Sequence, residues 1–314
     1  MNILVTGGCG VIGTALINEL RNRNHSVISC DLFHQHDETG FSPNMNGGSY
    51  ARCDVGEWRQ VNRLFDHFGP FDLVYHTAAE FGRWNGEDFY ENLWRTNVVG
   101  TKNIIRQQEL SQFKLVHFSS SEVYGDWPKC MVETTMDEQP IKQLNDYAMT
   151  KWVNEMQVRN SMKQRDTRSV IVRLFNTYGP GEFYSPYRSV NCRFVYCAIH
   201  GLPWIVHTRH RRTSICIPDA IRTLANIADN FCSGEVYNIG GTVFHSIKEL
   251  SDLVLKVTGA NPNLATESPP EIMTTLSKKV DCSRAIKDLN HQCTVALEAG
   301  LMETANWMRS VYGK

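Results

Sequence analysis

The chain has 314 residues, a formal net charge of −1 at pH 7 and 42% hydrophobic residues. A chain of this length can bury a full hydrophobic core in one large domain or in two coupled domains. The near-zero charge excludes a global electrostatic field for nucleic acid or an anionic membrane surface, and no apolar run approaches transmembrane length.

The ten cysteines are scattered along the chain. None of them forms a C-x-x-C pair or a Cys/His cluster at metal-binding spacing, so no metal site is predicted. The chain also starts on a strand, with no basic leader segment before it. Free thiols and this start together predict a cytoplasmic protein.

The first element is a short buried strand that runs directly into a glycine-rich turn. Residues 3–5 are apolar, residues 6–13 read TGGCGVIG, and a helix is predicted over 15–20. A turn of this kind between a strand and a helix brings backbone N–H groups and the positive end of the helix to a dinucleotide pyrophosphate. The residues predicted to contact the cofactor here are Gly7, Gly10, Val11, Ile12 and Gly13.

The second predicted strand covers residues 26–30 and leads directly into Asp31. An acidic residue about 20 positions beyond the glycine turn can accept hydrogen bonds from the ribose hydroxyls of NAD. The same carboxylate would repel the 2′-phosphate of NADP. The alternative interpretation is a solvated loop aspartate, but the context favours NAD as the cofactor.

Strands and helices then alternate along the first part of the chain. Strand-like runs occur at 71–76, 113–118 and 170–175, and helical periodicity at 57–68, 91–110 and 146–162. This alternation is typical of βαβ units and predicts an α/β fold with a Rossmann-type, doubly wound parallel sheet. Ligands of such sheets bind at the carboxyl ends of the strands.

The second part of the chain is less regular. Residues 176–181 read as a turn, 234–241 as a strand that ends in glycines, and 246–257 as a capped helix. We therefore predict a dinucleotide-binding domain over 1–176, with a contribution from about 212–244. A smaller, mixed α/β C-terminal domain is predicted over 177–314.

Two segments carry groups suited to proton transfer. The strand 113–118 delivers Ser120 to its carboxyl end, and Tyr147 and Lys151 lie four residues apart on one face of a predicted helix. A nearby ammonium favours the phenolate and lowers the pKa of a tyrosine, while a serine hydroxyl can hold a substrate oxygen. Tyr-x-x-x-Lys alone is common as a surface pair, so its weight comes from the glycine turn and Asp31.

With these motifs the chain resembles the extended short-chain dehydrogenase/reductase family, specifically its NAD-dependent nucleotide-sugar epimerases, dehydratases and decarboxylases. The resemblance spans nearly the whole chain. Its motifs include TGGCGVIG at 6–13, HTAAE at 76–80, SSSEVYG at 119–125, YAMTK at 147–151, RLFNTYGP at 173–180 and NIGG at 238–241.

The resemblance implies a mechanism in which bound NAD oxidises the sugar at C4. Tyr147 would be the base, Ser120 its hydrogen-bonding partner, and Lys151 would also bind the nicotinamide ribose. It further implies that Asp54 and Val55 flank the adenine. The cofactor path would be lined by Ala78, Ala79 and Asn97.

The same resemblance assigns the substrate, a nucleoside-diphosphate sugar, mostly to the C-terminal domain. Asn176 and Arg212 would hold the diphosphate. Lys278 is the best match for a cation that meets a substrate carboxylate in the decarboxylases. Glu80 and Arg83 lie in an unusual segment after HTAA and are candidate substrate contacts.

Glu122 and Ser121 bear on the subclass of reaction. In the dehydratases and decarboxylases a glutamate occupies the position of Glu122, where it removes the C5 proton in the dehydratases, whereas typical 4-epimerases carry a small or neutral residue there. Ser121 stands where the dTDP-glucose dehydratases have an aspartic acid that protonates the leaving C6 hydroxyl. The sequence favours an NDP-hexose 4,6-dehydratase.

Several alternatives stay open. If the protein is an NDP-sugar 4-epimerase, Glu122 is an inert variant in its pocket. If it is a UDP-glucuronate decarboxylase, Lys278 would bind the substrate carboxylate. A simple NAD(H)-dependent reductase or a catalytically silent NAD-binding sensor of the same fold are further possibilities. In this family the helices near 91–110 and 146–162 form a dimer contact, so the resemblance also implies a homodimer.

Overall fold

The computed structural model describes residues 1–33 and 49–313. They fall into two compact units that interleave along the sequence. Unit 1 comprises Met1–Val123, Asp146–Arg173 and Leu224–Tyr237, and unit 2 comprises Tyr124–Asn145, Leu174–Thr223 and Asn238–Lys314.

The main structure is a seven-stranded sheet. In chain order its strands are β1 (Asn2–Thr6), β2 (Ser26–Asp31), β3 (Tyr50–Arg52), β4 (Leu73–His76), β5 (Lys114–Ser120), β6 (Arg168–Leu174) and, after the short strands of unit 2, β11 (Val236–Ile239). Their spatial order is β11-β6-β5-β4-β1-β2-β3. This parallel, Rossmann-like sheet confirms the predicted fold class.

Strand β1 lies at the point where the strand order reverses. It pairs in parallel with β2 on one side and β4 on the other, so that Val5 lies between Ser29 and Tyr75. Ligands of doubly wound sheets bind at such a switch point, next to the carboxyl ends of the strands. The glycine turn follows directly after Thr6, at this position.

The helices have the following bounds. They are α1 (Val11–Asn22), α2 (Trp58–Phe68), α3 (Arg83–Asp88), α4 (Tyr90–Trp94), α5 (Gly100–Ser111), α6 (Thr135–Glu138), α7 (Asp146–Arg165), α8 (Val190–His200), α9 (Ile217–Asp229), α10 (Ile247–Thr258), α11 (Ser283–Leu289) and α12 (Leu297–Tyr312). A π-helical segment, Arg95–Val99, separates α4 from α5. Helical structure thus runs without a break from Tyr90 to Ser111, as the periodicity over 91–110 predicted, with a π-helical segment inside it.

The core of unit 1 lies against the sheet. It contains the ring of Phe65, stacked on Phe113 and in edge contact with Phe71, together with buried aliphatic side chains of β1, β4, β5 and α5. Complete burial of a strand on both faces explains why β1 and β4 read as continuous apolar runs in the sequence.

Unit 2 contains three two-stranded sheets. Strand β10 (Ile215–Cys216) pairs with β7 (Thr177–Tyr178), β12 (Phe244–Ser246) with β9 (Arg211–Thr213), and β13 (Ala265–Ser268) with β8 (Trp204–His207). Helices α8, α10 and α12 enclose a separate core. The predicted capped helix is confirmed as α10: Ser246 and Glu249 form a reciprocal capping box at its start.

No helix within residues 1–33 and 49–313 is both long enough and apolar enough to cross a membrane.

Candidate active site

The glycine turn leaves no room for side chains where the strand meets the helix. Gly7 has a φ of 72°, and a Cβ atom there would lie 2.7 Å from the backbone nitrogen of Ala78. A Cβ atom on Gly13 would overlap the carbonyl oxygen of Gly7. These contacts show that the backbones of the glycine turn and of the segment after β4 approach one another closely.

Helix α1 begins inside this turn, earlier than expected, so that Val11, Ile12 and Gly13 form its first turn. Gly10 is the N-cap residue, and among the residues that the structure describes no side chain caps this end. The first N–H groups of a helix have no intrahelical partner and attract anions. The glycine turn and the start of α1 therefore fit the pyrophosphate of a dinucleotide.

Asp31 is tied to the glycine turn by its carboxylate. Oδ2 accepts a hydrogen bond from the Cys9 backbone N–H at 2.9 Å, and Oδ1 accepts one from Leu32 at 2.7 Å. Burial raises the pKa of Asp31, whereas these backbone hydrogen bonds act in the opposite direction. Asp31 is thus an anchored carboxylate at the end of β2 rather than a solvated loop residue.

The two residues assigned to the adenine lie after β3. The Asp54 carboxylate accepts hydrogen bonds from the Gly56 backbone at 2.8 Å and from Arg95 at 2.7 Å. Val55 is buried, and its carbonyl accepts a hydrogen bond from Asn103 at 2.8 Å. These contacts give Asp54 structural partners, and its role toward adenine stays a prediction.

Asn97 lies in the π-helical segment and clamps the backbone of Glu80. Its Oδ1 accepts a hydrogen bond from the Glu80 N–H at 2.9 Å, and its Nδ2 donates to the Glu80 carbonyl at 3.0 Å. Nδ2 also donates to Thr150 Oγ1 at 3.0 Å, next to Lys151 in α7. Asn97 thus holds Glu80, the residue directly after the predicted cofactor contacts Ala78 and Ala79, against α7.

Glu80 and Arg83 both lie in unit 1. The Glu80 carboxylate accepts a hydrogen bond from Asn85 at 2.9 Å, and Arg83 lies above the ring of Trp84, 5.8 Å from its centroid. Their role toward a substrate stays a prediction.

Strand β5 and helix α7 bring together the serine, tyrosine and lysine. Ser120 is the last residue of β5 and is hydrogen-bonded to Tyr147, in the first turn of α7. One turn further along α7, Lys151 Nζ donates to the carbonyl of Phe118 at 2.8 Å and lies 5.8 Å from the centroid of the Tyr147 ring.

The pKa of Tyr147 moves in the direction opposite to that expected. Burial raises it to about 12, the charge of Glu122 adds to this, and the Ser120 hydrogen bond lowers it. The Lys151 ammonium donates to the Phe118 carbonyl, and the expectation that it favours the phenolate of Tyr147 stays a prediction. Burial also lowers the pKa of Lys151, to about 8.

Glu122 and Ser121 begin a short 3₁₀ turn after β5. The Glu122 backbone N–H donates to Ser120 Oγ at 3.2 Å. Ser121 is buried, whereas Glu122 is partly exposed, and its charge acts on Tyr147. The structure thus places the Glu122 backbone against Ser120 and its carboxylate within electrostatic range of Tyr147.

A buried ion pair next to these groups was not foreseen. Glu155 of α7 accepts two hydrogen bonds from Arg173 of β6, at 2.9 and 2.7 Å, and one from Ser119 Oγ at 2.5 Å. The side chains of both Glu155 and Arg173 are completely buried. A signal was available, because Tyr147, Lys151 and Glu155 are spaced by four residues along one helical face.

Unit 2 holds the cations assigned to the substrate. Arg212 of β9 donates to the carbonyls of Arg211 and Leu276 at 2.8 and 3.1 Å. Lys278 lies on the segment that pairs with β9, and both cations are buried. Asn176, also in unit 2, adopts a φ of 27°, and its Oδ1 is buried without a hydrogen-bond partner among the described residues.

The family model described as the NAD dependent epimerase/dehydratase family matches residues 3–240, which is more than half of the chain. The chain belongs to this family. Family membership confirms the predicted recognition, the prediction of an enzyme and the prediction that its cofactor is NAD.

Known members of the family differ in their reactions. The chain is 27% identical to a UDP-N-acetyl-alpha-D-glucosaminuronate decarboxylase of Bacillus cytotoxicus, with 98% of each chain covered. It is also 27% identical to a dTDP-glucose 4,6-dehydratase of Neisseria gonorrhoeae, covering 98% of this chain and 95% of the relative. A crystal structure of a UDP-glucuronic acid 4-epimerase from Bacillus cereus, with UDP-glucuronic acid and NAD, shares 25% identity at a TM-score of 0.85, covering 99% and 100% of the two chains.

These proteins carry out decarboxylation, dehydration and epimerisation at similar degrees of identity to this chain. Overall similarity therefore does not select among the three reactions. The selection depends on individual residues of the site.

Proposed function

We propose that this enzyme is an NDP-hexose 4,6-dehydratase. The substrate class is supported by the relatives, which are named for nucleotide sugars. The reaction is supported by the placement of Glu122, two residues after Ser120 at the end of β5. Its backbone N–H is hydrogen-bonded to Ser120, and its charge acts on Tyr147.

Residues of unit 1 would hold NAD. Backbone N–H groups of the glycine turn and of the start of α1 would bind its pyrophosphate, and Asp31 would bind the adenosine ribose. When bound, NAD supplies the hydride acceptor and a cationic nicotinamide ring whose charge favours the phenolate of Tyr147.

The chain's own groups would manage the protons. Tyr147 takes the proton of the C4 hydroxyl as the C4 hydride leaves, while Ser120 holds the C4 oxygen. The resulting 4-keto group acidifies C5, and Glu122 removes the C5 proton as the C6 hydroxyl departs with a proton as water. The two protons taken from the C4 hydroxyl and from C5 account for this proton and for the one that returns to C5. Return of the hydride to C6 and of a proton to C5 completes the conversion to a 4-keto-6-deoxy sugar and water.

The decisive experiment is the substitution Glu122→Gln, which keeps size and hydrogen bonding but cannot accept a proton. We expect the variant to oxidise C4 and accumulate NADH, while water release falls on the order of 10² to 10⁴-fold. The wild-type product formed in deuterated water should carry deuterium at C5, as read by NMR, and the variant should show no exchange there. The matched control is Glu138→Gln, since Glu138 is an exposed acid at the end of α6.

Two other reactions would give different results. A 4-epimerase, favoured by Ser121 in the place of an acid, would invert C4 at a near-normal rate in Glu122→Gln with no deuterium at C5 in either protein. A decarboxylase, favoured by the buried cation Lys278, would require a sugar acid and release carbon dioxide. Either result would replace the dehydratase assignment.

We also propose that the enzyme is a homodimer that works in the cytoplasm. The dimer contact would involve α5 and α7, which together with the adjoining π-helical segment carry exposed apolar side chains: Val99, Leu110, Met149 and Met156. The cytoplasm is supported by the cysteines, since all ten are described and carry free thiols, as is usual in a reducing compartment. Sedimentation at micromolar concentration tests the dimer.

A further inference from the structure

The ion pair between Glu155 and Arg173 joins three elements of unit 1. Glu155 projects from α7, Arg173 from β6, and Ser119 from the end of β5. The Arg173 guanidinium donates from Nε and Nη2, so it holds the carboxylate at two points. Ser119 Oγ donates a short hydrogen bond to Glu155 Oε1, at 2.5 Å, and Arg159 Nη2 lies 3.9 Å from Oε2.

This contact lies one residue away from the reacting groups. Ser119 immediately precedes Ser120, and Glu155 lies one turn beyond Lys151 on the helix that carries Tyr147. Lys151 holds the preceding residue of β5 through the carbonyl of Phe118. Phe118 and Ser119, near the end of β5, are therefore bound to α7 at two successive positions, directly before Ser120.

We propose that Glu155 is a positioning residue: fixed by Arg173, it holds Ser119 and thereby sets the Ser120 hydroxyl against Tyr147. The proposal rests on the proposed function, since it assigns Ser120 and Tyr147 to the proton transfer at C4. A displacement of about 1 Å in such a group can reduce the rate on the order of 10²-fold. The expected consequence is a loss in kcat rather than in substrate binding.

The choice of variant matters. Glu155→Gln would leave a buried guanidinium without its counter-charge, which risks unfolding the protein. Ser119→Ala removes only the hydroxyl and leaves both hydrogen bonds from Arg173 in place. The matched control is Ser161→Ala, because Ser161 is also buried and also donates to a carboxylate, that of Glu109 at 3.0 Å, and it lies on α7, the helix that carries Glu155.

We expect Ser119→Ala to lower kcat by about 10- to 100-fold, with the KM for the sugar nucleotide and the NAD content unchanged. Ser161→Ala should show a similar change in melting temperature and a normal kcat. Equal kcat values in the two variants would overturn the proposal, because the loss of a merely structural hydrogen bond would change kcat alike in both variants.

A second measurement separates this proposal from the proposed function. If the wild-type enzyme converts no sugar nucleotide, the proposed function is wrong, and crystal structures of the two variants judge the positioning role. The hydrogen bond between Ser120 and Tyr147 should then be broken in Ser119→Ala and intact in Ser161→Ala. Its retention in both variants would overturn the positioning role.

Discussion

Acidification should destabilise this protein through the buried histidine His76. Its ring lies at the end of β4, with Nδ1 2.8 Å from Thr6 Oγ1 and Nε2 3.1 Å from Thr101 Oγ1. Burial lowers its pKa to about 3, and the charge of Lys151 acts in the same direction. The folded protein therefore keeps this ring neutral under conditions in which the unfolded chain protonates it.

The magnitude follows from the two pKa values. With an unfolded pKa of about 6.5, the stability that His76 contributes is complete above that pH and is lost as the pH falls toward 3. Below pH 6.5 the loss is roughly 1.4 kcal/mol per pH unit, or about 2 kcal/mol between pH 7 and pH 5. Burial lowers the pKa of the neighbouring His117 as well, which adds a loss of the same sign.

The assay is urea denaturation between pH 7 and pH 5. We expect the free energy of unfolding to fall less in His76→Gln than in the wild type, by about 2 kcal/mol over this range. Glutamine can still donate to one hydroxyl and accept from the other. His67→Gln is the matched control, because His67 is exposed at the end of α2 and its substitution should leave the slope unchanged. Parallel pH dependences for the wild type and His76→Gln would refute the reasoning.

Two further predictions concern the cofactor and the base. Gly13→Ala should abolish retention of NAD by the purified protein, because the new Cβ atom would overlap the Gly7 carbonyl and force the turn open. The amount of NAD released on denaturation measures this. A normal NAD content would contradict the pyrophosphate-binding role of the turn. Tyr147→Phe should reduce turnover on the order of 10² to 10⁴-fold while NAD content stays normal. Near-normal turnover in that variant would remove Tyr147 as the base.

Local sequence patterns predicted much of the fold. The apolar run of β1, the glycines at 7, 10 and 13, and the serine capping box of α10 depend on residues that are close in sequence. Periodicity also located Tyr147 and Lys151 on one face of α7. In unit 2 the strands span only two to four residues, which is too short for such periodicity to show.

Long-range contacts decided the rest. The Asn97 clamp on Glu80 and the bond between Glu155 and Arg173 join residues 17 and 18 positions apart, from elements whose packing no local pattern predicts. The raised pKa of Tyr147 has the same origin, since sequence spacing predicts which charges are neighbours but not how far burial removes them from water. The sequence by itself predicted which groups carry the chemistry. Tertiary packing decided their partners and their protonation, because both depend on distances and burial that only the folded chain creates.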